Sequence, residues 1–336
     1  MSMNSVGDKS QVFLSLRNNM ALKTRLGTLV QELSTGQSSD LVKRLGADQT
    51  RLSDVDRQLT LLSGYGRVTT QTAQSLSLMQ TTIARTEETR SQLAAQMLTI
   101  TAEGAVNQNE AAARAARDAM DTVVSTLNLR FSDQSLFAGA AVDGPALASA
   151  ETIMAELATV TAGATTSADV IAAIDTWFDT PAGGFETVGY LGDTGPAQTR
   201  RIDQGTVVAL DAKADDPAFR DMFKAVALAA VVAEGALPGD AAAQTELLQE
   251  SGLRLMASAT SLTQLQARLG GIEGRVQDTA TRHAARETTL GLIRNDMTSA
   301  DPFETAAQLE EVQLQLETHY TVTARLSRLS LAEYLR

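Results

Sequence analysis

The chain has no cysteine. That removes disulfides, thiolate nucleophiles and cysteine metal sites together. Aromatic residues are scarce, at 4% of 336 residues. Ala, Leu, Thr, Ser and Gln take their place, a mix suited to long helices packed along their length rather than to a thick globular core. Positive charge is in deficit, with a net charge of −12. A nucleic-acid partner needs a basic surface, and so does an anionic membrane surface, so neither is expected. The longest apolar run lies around Val226–Val232 and is far too short to span a bilayer. The first ten residues lack a basic stretch followed by an apolar one, the mark of a classical signal peptide. A soluble protein is expected, and if it leaves the cell it does so without a cleavable signal.

Catalytic and metal-binding patterns are also missing. The only histidines are His283 and His319. They fall on different predicted helices, and neither has a ligand partner at the spacing of H-E-x-x-H. There is no G-x-S-x-G, no Walker A loop and no G-x-G-x-x-G. Asp215-Asp216 before Pro217 reads as a helix N-cap rather than a carboxylate pair. Arg200 and Arg201 are strand neighbours pointing to opposite sides, which favours a salt-bridged surface over an anion site. Asp193 and Asp203 lack the spacing of a calcium loop. The expectation is a protein that is not an enzyme, with no metal and no cofactor.

What the chain does have is helical periodicity at both ends. Proline is absent before Pro145 and occurs once, at Pro302, after Pro238. Because proline costs about 3 kcal/mol inside a helix, two long arms flank a punctuated middle. In the N-terminal arm, Val12, Leu16, Leu26, Val30 and Leu33 recur at helical spacing from about Ser10, and Gly36 is a stop signal. A second helix is predicted from about Asp40 to Thr101, with Leu45, Leu52, Val55, Leu59 and Leu62 as its seam, a bend at Gly64 and Gly66, and an end at Gly104. Asn107 or Asn109 is the predicted cap of a third helix reaching about Phe131. At about 60 residues the second helix must pack on a long partner. The C-terminal arm supplies one from about Ala241 to Met297, with Leu262, Leu265, Leu269, Ile272 and Val276 on its apolar face. Asp301-Pro302 then starts a last helix carrying Leu309, Val312, Leu316, Val322, Leu326 and Leu329.

The middle, residues 140–239, carries most of the net negative charge. Phe185–Leu191 alternates like a strand, as do Gln198–Asp203 and Thr206–Leu210. Helices are predicted near 150–160 and 168–178. The fold class expected is mainly α: a long antiparallel helical bundle or coiled coil formed by the two arms, with a small α+β domain inserted between them.

Several short motifs, in order, resemble the flagellin family. Leu33-Ser34-Thr35-Gly36 resembles the turn after the first flagellin helix. Asn128 to Gly139, ending Ser135-Leu136-Phe137-Ala138-Gly139, resembles a segment that closes the N-terminal helices in the hook–filament junction members of that family. Tyr190-Leu191-Gly192-Asp193, Arg201-Ile202 and Gly205 resemble strands of their middle domain. Gly270-Gly271-Ile272-Glu273, Asp301-Pro302 and Ser330-Leu331-Ala332-Glu333-Tyr334-Leu335 resemble parts of their C-terminal arm. Gln37–Val42 departs from the Asn-Ser-x-x-Asp-Asp type of segment usual in flagellins, which puts the junction members ahead.

The resemblance implies a structural subunit of the bacterial flagellum, located outside the cell and exported through the flagellar type III apparatus. Its implied partners are the other hook-associated protein, flagellin, further copies of itself in a ring, and an export chaperone. Residues 1–40 and 300–336 would form inner-core segments, 41–139 and 240–299 a helical bundle, and 140–239 an outer domain. A terminal helix cannot bury its apolar stripe alone, so Leu16, Leu26, Leu33, Leu309, Leu316, Leu326 and Leu331 are the expected assembly interface. They would be exposed or frayed in a monomer and buried once the ends pair and stack on neighbours. Two alternatives are a flagellin filament subunit and a helical secreted protein with a ligand-binding middle domain.

Overall fold

The computed structural model describes residues 4–101 and 105–334. It is mainly α. The helices are α1 (Asn4–Thr35), α2 (Leu41–Leu45), α3 (Gln49–Leu98), α4 (Ala105–Leu127), α5 (Ala150–Thr161), α6 (Ser167–Asp179), α7 (Pro217–Ala233), α8 (Ala241–Thr298) and α9 (Pro302–Tyr334). Two antiparallel hairpins complete it: β1 (Arg130–Phe131) with β2 (Gln134–Ser135), and β3 (Gln198–Asp203) with β4 (Thr206–Leu210). The chain forms two compact units, residues 1–62 with 284–336 and residues 63–283.

The larger unit is built on α7. Asp216 caps this helix, its carboxylate accepting the Ala218 N–H, and Pro217 opens the first turn. The apolar run noted in the sequence makes α7 hydrophobic on nearly every side, which is the pattern of a buried helix, and Val226–Val231 is fully enclosed. The few aromatics are concentrated around it. Phe137, Phe178, Phe185, Phe219 and Phe223 are all fully buried, five of the eight phenylalanines in the chain. The Phe137 and Phe219 rings meet edge to face at 5.7 Å. Within this unit α3 and α8 run antiparallel. Gln80 Nε2 donates to the Gln266 carbonyl, Arg90 Nη1 to that of Leu255, and Gln249 Nε2 to that of Ile100. Leu262, Leu265, Leu269, Ile272 and Val276 are buried, as their spacing predicts.

The motif segments around Phe137–Gly139 and Tyr190–Asp193 meet in the same unit. The Asp193 N–H donates to the Ala138 carbonyl, the Ala214 N–H to that of Phe137, and the Tyr190 hydroxyl to the Asp193 carbonyl. Gly139 sits at φ +64, and a Cβ there would stand 2.8 Å from the Asp193 carbonyl oxygen. A side chain would therefore be strained and crowded at once. Asn128 reads the Leu147 backbone with both ends of its amide, at 2.8 and 3.0 Å. These residues hold loops together. Burial, then the negative charges of Asp215 and Asp193, raise the Tyr190 ionisation far above that of an ordinary phenol.

Several local expectations change. Phe185–Gly189 is a π-helical turn, not a strand. The Phe185 ring sits between those of Trp177, Phe178 and Phe223, and Gly184 allows the indole an approach that no Cβ would permit. Tertiary packing overrides the alternating pattern there. The second helix is divided: Asp40 caps the short α2, Gly46 turns the chain at φ +49, and α3 then runs unbroken through Gly64 and Gly66. Its predicted stop, Gly104, lies outside the described residues. Asn109 caps nothing in α4; it is buried inside that helix and donates to the Ala241 carbonyl and Thr245 hydroxyl of α8. Arg200 donates to the Gln134 side chain at 2.9 Å, whereas at Asp215-Asp216 the expectation holds, Asp216 capping α7 and Asp215 pairing with Arg220.

Candidate assembly surface on the terminal helices

The smaller unit brings the two ends of the chain together. Helices α1 and α9 pack antiparallel. Next to the turns that open the pair, Gln37 bridges Ser299, the Ala300 N–H donates to the Gly36 carbonyl at 2.9 Å, and the Ser38 N–H to that of Thr298 at 2.9 Å. Gly36 adopts φ +67, the left-handed conformation that ends a helix at low cost. Asp301 caps α9 from the other side, its carboxylate accepting the N–H groups of Phe303 and Glu304. Arg294 and Asp56 form an ion pair at 2.8 Å between α8 and α3 in the same unit.

The seam between α1 and α9 is small. Leu29, Val312 and Leu316 are buried, and Leu22, Leu26 and Leu309 pack against them half-buried. Farther from the turns the described side-chain contacts are polar. His319 Nε2 lies 3.2 Å from Ser15 Oγ and its Nδ1 lies 3.4 Å from Asn19 Nδ2, while Lys23 Nζ stands 5.9 Å from the centre of the Tyr320 ring. Hydrogen bonding from Lys23, then from Asn19, holds the Tyr320 ionisation below that of an ordinary phenol.

The predicted interface residues divide between two roles. Leu316 is buried in the seam and Leu26 and Leu309 are half-buried in it. Leu16 and Leu33 face outward, 60% and 43% exposed. The side chains of Leu326 and Leu331 lie outside the described residues. Pairing within one chain therefore already covers part of the stripe, and the outward residues remain for other contacts.

The structure adds residues that the periodicity missed. Leu29 is 4% exposed, whereas Val30, chosen from the sequence, faces out. Phe13, Leu16 and Met20 recur at i, i+3 and i+7 as a second exposed stripe on α1. Phe303 and Leu314 are 87% and 65% exposed on α9. Eleven residues is close to three full turns, so these two share a face. The signal was present in the sequence: α1 has leucines at 22, 26 and 29 in addition to its other apolar positions, and two stripes on one helix mean two partners.

No helix of the described residues is long and apolar enough to cross a membrane, and no group of three or more His, Asp or Glu among them could hold a metal ion. Residues 247–335, most of α8 and α9, match the bacterial flagellin C-terminal helical region. No curated protein sequence matches the chain. Among solved structures, a putative flagellar hook-associated protein from Vibrio parahaemolyticus has 10% sequence identity and a TM-score of 0.52, with 76% of this chain and 99% of that one covered. FlgL from Bacillus cereus has 14% identity and a TM-score of 0.41, over 73% of this chain and 96% of that one. The C-terminal arm of the chain is thus similar to the helical region of flagellin, and its mainly α fold is similar to that of the Vibrio protein.

Proposed function

We propose that this chain is a structural subunit of the bacterial flagellum that connects hook to filament. The observation that carries the reading is the pairing of the two chain ends into one helical hairpin that keeps a second, outward apolar stripe on each helix. A folded chain gains nothing from leaving Phe13, Leu16, Met20, Phe303 and Leu314 in water, whereas neighbours that cover them gain apolar burial. The flagellin-like C-terminal arm and the order of the motifs from Leu33 to Leu335 support a flagellar neighbour. Its partners are another hook-associated protein on the hook side, flagellin on the filament side, further copies of itself and an export chaperone. It works outside the cell, reached by type III export. Residues 1–40 and 300–336 form the assembling core of the subunit, 41–139 and 240–299 its bundle, and 140–239 its outer portion.

Deletion of the gene tests this. Electron microscopy of the mutant cells is expected to show intact hooks without filaments, with flagellin lost to the medium. Normal filaments would end the proposal. A second reading, a filament subunit, draws on the likeness of residues 247–335 to flagellin itself. Copy number separates the two, since a junction ring needs few copies per flagellum and a filament needs thousands.

A further inference from the structure

The α1–α9 hairpin is held by two chemically different halves. Near its turns, main-chain bonds at Gly36–Ser38 and the seam around Leu29, Val312 and Leu316 close it. Beyond Leu22 and Leu316 no apolar side chain among those described is buried between the two helices. Among the described side chains there, Ser15, Asn19 and Lys23, at i, i+4 and i+8 on one face of α1, are set against His319 and Tyr320 of α9.

We infer that these five residues form a polar clasp that closes the distal half of the terminal hairpin and is its releasable part. The inference rests on the reading of the paired ends as the assembling element. A proton on His319 Nε2 satisfies both nitrogens of its ring, which then donates to the Ser15 hydroxyl at 3.2 Å and accepts from the Asn19 amide at 3.4 Å. The ring is only half-buried. Water replaces hydrogen bonds between such groups at small net cost, and water cannot replace a buried leucine seam. The distal half can therefore open and take new partners while the proximal half stays shut. Closed, the clasp sets the placement of Phe13, Leu16 and Met20, which lie on the same stretch of α1.

The absence of cysteine gives a clean test, since spin labels attach only where cysteine is introduced. In the full chain, Arg17→Cys with Glu317→Cys reports the distal half by electron–electron resonance distance, and Arg25→Cys with Gln313→Cys reports the proximal half. All four positions are exposed. The otherwise unaltered chain is expected to give one narrow distance at each pair. Asn19→Ala with His319→Ala is expected to leave the proximal distance narrow and to spread the distal one to longer values. His319→Gln, which can still donate and accept, is expected to restore the narrow distal distance. The clasp is overturned if the alanine variant keeps a narrow distal distance, if both distances spread together, or if His319→Gln behaves like alanine. No single proximal distance in the otherwise unaltered chain would overturn the pairing of the ends itself, and the clasp with it.

Discussion

Replacing Leu16 and Leu314 together by aspartate is expected to leave the chain folded but unable to take its place in a flagellum. Both side chains are mostly in water, at 60% and 65% exposed, and neither contributes to the seam formed by Leu29, Val312 and Leu316. Surface changes of this kind usually shift stability by no more than about 0.5 kcal/mol, so circular dichroism and the melting temperature should hardly move. Assembly is different. Covering a leucine side chain is worth roughly 1.5–3 kcal/mol, and a carboxylate placed in the same contact must also shed its water. The two changes together should weaken each contact between copies by at least about 100-fold, as every 1.4 kcal/mol is a factor of ten. Motility and the number of filaments per cell should fall with it. Normal swimming by cells carrying only the variant would mean that these faces meet no neighbour.

The opposite separation is expected at Phe219. This ring is fully buried beside Phe137 in the core built around α7. Phe219→Ala removes the apolar burial and leaves a cavity, a combination that costs about 3–5 kcal/mol. For a unit the size of residues 63–283, that corresponds to a drop of roughly 6–20 °C in the midpoint of its thermal transition, readable by calorimetry. The pairing of α1 with α9 belongs to the other compact unit, so its distances should be unchanged below the transition. A shift of less than about 2 °C would show that the aromatic cluster is not the stabilising centre of that unit.

The two sites differ in how far the sequence revealed them. Long helices were legible because their signals are local: periodicity for α8, Asp301-Pro302 for the start of α9, and β-rich runs around Asp203 and Thr206 for the β3–β4 hairpin. The π-helical turn at Phe185–Gly189 was not, because its cause is distant: three aromatic rings from α6 and α7 surround Phe185. Asn109 misled for a similar reason. Its side chain has the chemistry of a cap, but its partners, Ala241 and Thr245, lie 132 and 136 residues away. On the terminal helices the sequence held the residues of both apolar stripes without saying which of them the partner helix covers. Leu316 and Leu16 look alike in a list of leucines. Only the position of the partner helix separates the one that closes the hairpin from the one that faces away from it.

Net charge revealed little about the site. The net charge of −12 belongs to the chain as a whole, whereas the α1–α9 contact uses neutral groups and one lysine. His319 lies between the two terminal helices, against Ser15 and Asn19. His283 is buried beside Tyr65 and Asp203, and neither of its ring nitrogens has a hydrogen-bond partner.

The most direct measurement is chemical labelling at the outward face of α9. Phe303→Cys supplies the chain's single thiol at a position 87% exposed. A maleimide reagent should modify it fully and rapidly in the purified chain, and hardly at all in intact flagella. Equal and rapid modification in both states would contradict the claim that neighbouring copies cover this face.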